Sequence, residues 1–136
     1  MGANYLIDFE KKALERYQWA IAKNERPENI VQYISECNES LFKSICIKDY
    51  EKKNNDPEIT KPIPFLQNKN FFGRKEFINN KEEFIFKTPK LSSIKKNSEI
   101  INNKTNPKKH DSINVTEEEV LICIYAVKSI LKWYFC

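Results

Sequence analysis

Residues 27–50 read PENIVQYISECNESLFKSICIKDY and carry apolar side chains at the spacing of one helical face. That face holds Ile30, Ile34, Cys37, Leu41 and Ile45, with Val31 and Phe42 beside it. A recurrence every three to four residues predicts an amphipathic helix, and a proline such as Pro27 suits the first turn. We therefore predict a helix over residues 27–50.

The preceding stretch repeats this pattern. Residues 5–23 place Leu6, Phe9, Ala13, Tyr17 and Ala20 on one face, and the polar residues 24–27 interrupt the helix. Two long amphipathic helices joined by a short break are expected to pack side by side in opposite directions. The chain is thus expected to open with an antiparallel helical hairpin.

The last predicted helix covers residues 117 to about 135. Thr116 precedes it and Glu119 follows three residues later, which is the spacing of a capping box. Apolar residues occupy nearly all sides of this helix: Val120, Leu121, Ile122, Ile124, Tyr125, Val127, Ile130, Leu131, Trp133, Tyr134 and Phe135. Such a helix lies in a core or is covered on its outer side by a partner. We expect that partner to be a second copy or another protein.

Between these helices lies a basic segment, residues 51–110, with a net charge of +7, whereas residues 1–50 carry −1 and residues 111–136 carry −2. Residues 51–64 and 102–115 are predicted as loops, and Leu91, Ile94 and Ile101 indicate a short helix between them. Residues 65–87 fit either helical spacing or a strand hairpin that turns at Asn79-Asn80.

The expected fold class is mainly α. We predict a helical bundle with a leading antiparallel helical hairpin, a basic and partly irregular insertion over residues 51–110, and a long apolar C-terminal helix. The length favours one domain over residues 1–136.

The basic segment has two interpretations. Clustered positive charge is the electrostatic footprint of a nucleic-acid binder. The alternative is a solvated insertion whose Lys content reflects coding bias, and it is favoured because 20 of the 23 basic residues are Lys and Arg is the better ligand for phosphate. Arg74 and Lys75 follow Phe71-Phe72, a cluster that either stacks a base or packs on the bundle. The candidate nucleic-acid-binding residues are Arg74, Lys75, Lys104, Lys108 and Lys109.

Several function classes are excluded at this stage. The four cysteines show no metal-binding spacing and the chain has a single histidine, His110, so we expect no metal site. Only two glycines occur, so no phosphate-cradling loop and no cofactor are expected. Without a signal peptide or a membrane-spanning run, the sequence predicts a cytoplasmic protein.

Two stretches resemble the HEPN superfamily, a group of helical defence and RNA-processing domains. In residues 8–46, ALERY (13–17), NER (24–26) and SECNESLFK (35–43) are similar to the leading hairpin of that family. In residues 100–135, NPKKH (106–110) before the capped helix resembles the motif of Arg and His that leads into the family's last helix. Together these stretches cover about half of the chain.

The resemblance implies a metal-independent endoribonuclease in members with an intact motif, where two copies bring two histidines together. Here the Arg is missing, and Asn103, Lys104 and Thr105 occupy the corresponding positions. Members without the Arg serve as interaction modules, so the resemblance implies a non-catalytic HEPN-like domain.

An active version of the protein would need two kinds of residue to cleave RNA. A histidine such as His110 titrates near neutral pH and suits a general acid or base, while Lys104 supplies a cation for the phosphate. Three functions remain open. They are a non-catalytic interaction or RNA-contacting domain of a defence or toxin–antitoxin system, a His110 ribonuclease acting as a homodimer, and a structural subunit of a larger assembly.

Overall fold

The computed structural model of the protein describes residues 5–22, 24–105 and 114–136. This part is mainly helical and carries a small two-stranded sheet. The α-helices are α1 (Asp8–Ile21), α2 (Pro27–Tyr50), α3 (Pro62–Asn68), α4 (Pro89–Thr105) and α5 (Glu117–Phe135). The strands are β1 (Gly73–Ile78) and β2 (Lys81–Phe86), and a short 3-10 helix, Pro57–Thr60, precedes α3.

Helix α2 lies at the centre and contacts α1, α3, α4 and α5. Its apolar stripe is buried, as the periodicity predicts, and its bounds agree with the prediction of residues 27–50. Helix α1 runs antiparallel to it: Arg16 lies 2.6 Å from Glu36, and the Trp19 and Tyr33 ring centroids are 5.4 Å apart. The leading antiparallel helical hairpin is therefore present in the structure.

The insertion holds more regular structure than expected. The prediction of a loop over residues 51–64 is wrong because the 3-10 helix and the start of α3 fall within it. Pro62 and Pro64 occupy the first turn of α3, where a backbone N–H has no partner within the helix, so they do not prevent it. Helix α4 extends to Thr105, so residues 102–105 are helical and not loop.

Within the ambiguous segment 65–87, residues 73–86 form a β-hairpin, so the strand interpretation is right there, whereas residues 65–68 belong to α3. The strands pair in antiparallel fashion from Gly73 opposite Phe86 to Ile78 opposite Lys81. Asn79 and Asn80 form the turn with φ values of 54° and 65°, the left-handed conformation that a two-residue hairpin loop requires and that Asn tolerates.

Helix α5 begins with the predicted capping box. The Thr116 hydroxyl accepts the Glu119 N–H at 3.1 Å, and the Glu119 carboxylate accepts the Thr116 N–H at 2.9 Å. Of the two alternatives for this helix, the core helix buried on all sides is wrong, since one face lies against α2 and α4 while Leu121, Ile122 and Tyr125 are exposed. None of the helices in the described ranges has the length and apolar character that crossing a bilayer requires.

The cysteines are reduced, and three of the four are buried. Cys37, Cys46 and Cys123 lie in the core, while Cys136 is exposed. Burial raises the pKa of the Cys37 thiol to about 12 and that of Cys123 to about 11. These thiols act as small apolar side chains.

A buried carboxylate connects three helices. Glu10 of α1 is 2% exposed and accepts hydrogen bonds from the Ile7 N–H at 2.9 Å, Lys48 Nζ of α2 at 2.9 Å and the Tyr134 hydroxyl of α5 at 2.6 Å. Burial alone would raise the pKa of Glu10, but these three donors together outweigh it, and the pKa is lowered. The carboxylate therefore stays ionised and holds α1, α2 and α5 together.

We predict that Tyr134→Phe lowers the free energy of unfolding at pH 7 by about 1 to 3 kcal/mol, since it removes a donor from a buried charged acceptor. Urea denaturation measures this change. Tyr125→Phe, at a tyrosine that is 67% exposed, is the matched control and should change stability by less than about 0.5 kcal/mol.

The same variant has a defined pH dependence. Because the pKa of Glu10 is lowered by folding, its contribution is complete above its ordinary value of 4.5 and is lost as the pH falls through the lowered value. The difference between wild type and Tyr134→Phe should therefore shrink on acidification. Equal losses for the two tyrosine variants would contradict the role of this network.

Candidate nucleic-acid interface

A groove of about 800 Å³ lies at the base of the hairpin, where both strands meet the end of α3 and one side of α4. Three cationic side chains line it, Arg74 and Lys75 from β1 and Lys95 from α4. Two aromatic rings, Phe84 and Phe86 of β2, also line it. Cations together with exposed rings are the combination that binds a single nucleic-acid strand.

The strand register places the aromatic rings on the same face of the hairpin as Lys75, whereas Arg74 lies opposite Ile85 on the other face. Lys75 lies directly opposite Phe84, and Gly73 lies opposite Phe86, so these side chains share one face of the hairpin. The Phe84 and Phe86 centroids are 4.8 Å apart in an edge-on arrangement. Phe84 is 41% exposed, which leaves part of its ring open to a stacking partner.

Gly73 allows the strands to approach each other at the base of the groove. A Cβ atom at this position would lie 2.1 Å from the backbone oxygen of Ile85 and 2.7 Å from Cα of Phe86. Both neighbours are backbone atoms that cannot move without displacing β2. Any other residue at this position would therefore open the pairing that positions Phe86.

Side-chain amides form the opposite edge of the groove. Gln67 and Asn68 end α3, and Asn70 follows in a left-handed conformation with φ 59°. The Phe71 N–H donates to the Leu66 carbonyl at 2.9 Å and the Asn70 N–H to the Gln67 carbonyl at 3.0 Å, a pattern that terminates a helix. Amides both donate and accept hydrogen bonds, so this edge can contact the polar edges of bases.

The charges of the groove are accessible to an anion. Arg74 Nε lies 2.8 Å from Glu76, and Lys95 Nζ lies 2.7 Å from Glu99. Lys75 forms no ion pair with any residue that the structure describes. Because ion pairs near the surface contribute little, a phosphate can replace these carboxylates as the partner of the cations.

The structure decides between the two interpretations of Phe71-Phe72. Phe72 is 1% exposed and its centroid lies 6.0 Å from that of Phe42, while Phe71 packs on Phe72 at 5.0 Å. The favoured interpretation, in which these rings pack on the helices, is confirmed, and the alternative in which they stack a base is wrong. Phe84 is the ring that offers a stacking surface.

Lys104 lies apart from this groove. At the end of α4 it forms an ion pair of 2.9 Å with Glu119 in the first turn of α5. The hydrogen bond to Glu119 raises the pKa of Lys104, and the same bond lowers that of Glu119. Lys104 thus joins α4 to α5, while His110, Lys108 and Lys109 lie outside the described residues.

Sequence analysis identified Arg74 and Lys75 but missed Phe84, Phe86 and Lys95. The alternation of Phe84 and Phe86 was the available signal, because a strand places such residues on one face. Nothing in the sequence indicated Lys95, which only the packing of α4 brings to the hairpin. Among the described residues, no group of three or more His, Cys, Asp or Glu side chains could hold a metal ion.

Comparison of the chain with protein-family models, with curated proteins and with solved structures gives no match.

Proposed function

We propose that this protein is a non-catalytic helical module that binds single-stranded RNA in the groove at the base of the hairpin. The observation that carries this proposal is the placement of Lys75 and Lys95 beside the exposed ring of Phe84, in a groove that Arg74 also lines. The resemblance to HEPN domains that lack the motif Arg supports an interaction role in a prokaryotic defence or toxin–antitoxin system.

A single strand suits this groove better than a duplex. Aromatic stacking needs an unpaired base whose face is free, and duplex RNA offers its bases only in narrow or shallow grooves. Phe84 supplies the stacking surface, and the amides of Gln67, Asn68 and Asn70 face the same space. Stacking on one ring tolerates any base, so we expect affinity with little sequence preference.

The cations determine how binding depends on salt. Lys75 and Lys95 line the groove on the side of Phe84, and contact with about two phosphates on a single strand gives a slope of about −1.4 in log K against log salt. Lysine binds phosphate as a point charge and lacks the fork with which Arg reads base edges. Weak, salt-sensitive binding is therefore expected.

We predict that Lys75→Glu lowers the affinity for a fluorescent single-stranded RNA about tenfold, because a cation becomes an anion beside the phosphates. Fluorescence anisotropy at low salt measures the dissociation constant. Lys12→Glu is the matched control. It makes the same charge change at an exposed position of α1 and should alter affinity by less than about twofold, apart from the general effect of net charge. Equal losses would show that no specific groove binds RNA.

The aromatic contribution has its own test. Phe84→Leu keeps an apolar side chain but removes the ring, and we expect a loss of about fivefold to tenfold in affinity, in line with the loss of one stacked base. Phe77→Leu makes the same change near the hairpin tip, at a ring that is 77% exposed and outside the groove, and should have little effect. If the Phe77 variant loses more than the Phe84 variant, the binding surface is not the groove.

We further predict that the protein does not cleave bound RNA in EDTA. Lys104 occupies a position that the motif Arg would take, and it forms an ion pair with Glu119. Gel analysis of labelled RNA incubated with wild type and with His110→Ala tests this prediction. Cleavage that survives EDTA and disappears in the variant would replace our proposal with the ribonuclease. Absence of both binding and cleavage would favour a structural subunit.

A further inference from the structure

The outward face of α5 forms a continuous stripe that we call the α5 stripe. It consists of Glu118, Leu121, Ile122, Tyr125, Lys128 and Lys132, all exposed and all on one side of the helix. The three apolar residues are exposed by 49%, 46% and 67%, in chain order. Tyr125 lies at the centre of the stripe, because the other members fall within about one hundred degrees of it around the helix.

Charge is divided between the two ends of the stripe. Glu118 and the neighbouring Glu117 are acidic at its start, and Lys128 and Lys132 are basic towards its end. Glu118 and Lys132 are separated by fourteen residues, which corresponds to about 21 Å along a helix. Within the part of the chain that the structure describes, these four side chains form no ion pair.

We propose that a second copy of this chain docks on the α5 stripe, with the two α5 helices antiparallel. A twofold axis near Tyr125 reverses the second helix, so Glu118 of one copy faces Lys132 of the partner subunit, and the reverse pair forms as well. A parallel arrangement would instead place like charges together. The stripe is therefore complementary to a second copy of itself in the antiparallel orientation. A surface that binds an unrelated protein does not need this self-complementarity.

The area of the stripe is small for a dimer interface. The exposed parts of Leu121, Ile122 and Tyr125 amount to about 300 Å² per copy, a patch size that monomeric proteins also carry. With the charged ends included, two copies bury about 1,000 Å² in total, at the low end of specific interfaces. The division of charge selects the partner, and the small area makes the dimer weak and dependent on concentration.

Sedimentation velocity of the RNA-free protein between about 1 and about 200 µM tests the proposal, since weak interfaces of this size associate in that range. Wild type should pass from monomer to dimer. Tyr125→Glu places a charge at the twofold axis and should remain monomeric throughout. Circular dichroism verifies that each variant is folded, which is expected at exposed positions.

A charge exchange tests the orientation. Glu118→Lys alone and Lys132→Glu alone each oppose like charges across the axis and should weaken dimerisation about fivefold or more. The double variant Glu118→Lys/Lys132→Glu restores opposite charges and should return to within about twofold of wild type. Wild type that stays monomeric at the highest concentration overturns the proposal, as does a dimer that Tyr125→Glu leaves intact. Failure of the double variant to recover overturns the antiparallel arrangement. RNA takes no part in this measurement, so its outcome is independent of the proposed function.

Discussion

The arrangement of the helices depends on one buried carboxylate. Glu10 is removed from water and would be destabilising there without its donors, which come from the start of its own helix, from α2 and from α5. The three donors are satisfied together only when α1 lies along α2 and the end of α5 reaches the start of α1. Apolar side chains can be buried in many similar arrangements of the helices. A buried charge with three donors is satisfied in only one of those arrangements. The order of the helices around α2 is therefore determined by polar geometry as well as by the apolar stripe.

The hairpin differs from the helices, because only its base is packed in the core and its tip is exposed. Phe72 inserts among the helices against Phe42, and directly after it Gly73 lets the two strands close at the point where they leave the core. Towards the tip, the hairpin carries aromatic and charged side chains that are not buried in the core, and Phe77 is 77% exposed. A two-stranded ribbon has little stability by itself. The position of the hairpin therefore depends on its buried base. The groove has a well-defined geometry because it lies at that base.

The main elements follow from the sequence because local patterns suffice to specify them. The periodicity of residues 27–50 and the pair Thr116 and Glu119 predict α2 and the start of α5 closely. The segment 65–87 was ambiguous because Phe77, Phe84 and Ile85 fit both periods, and the positive φ of Asn79 and Asn80 decides it. The sequence does not predict α3, because its prolines are typical of loops, although the first turn of a helix accepts them. The groove could be predicted only in part, since tertiary packing that no local pattern records brings Lys95 to the same groove as Lys75.

The unequal burial of the cysteines gives the protein a simple chemical property. Thiol reagents attack the thiolate, and burial keeps Cys37, Cys46 and Cys123 protonated and out of reach. Cys136 is exposed after the last turn of α5. The native chain therefore offers one site for maleimide coupling, so a dye or a spin label can be attached without removing any cysteine from the core.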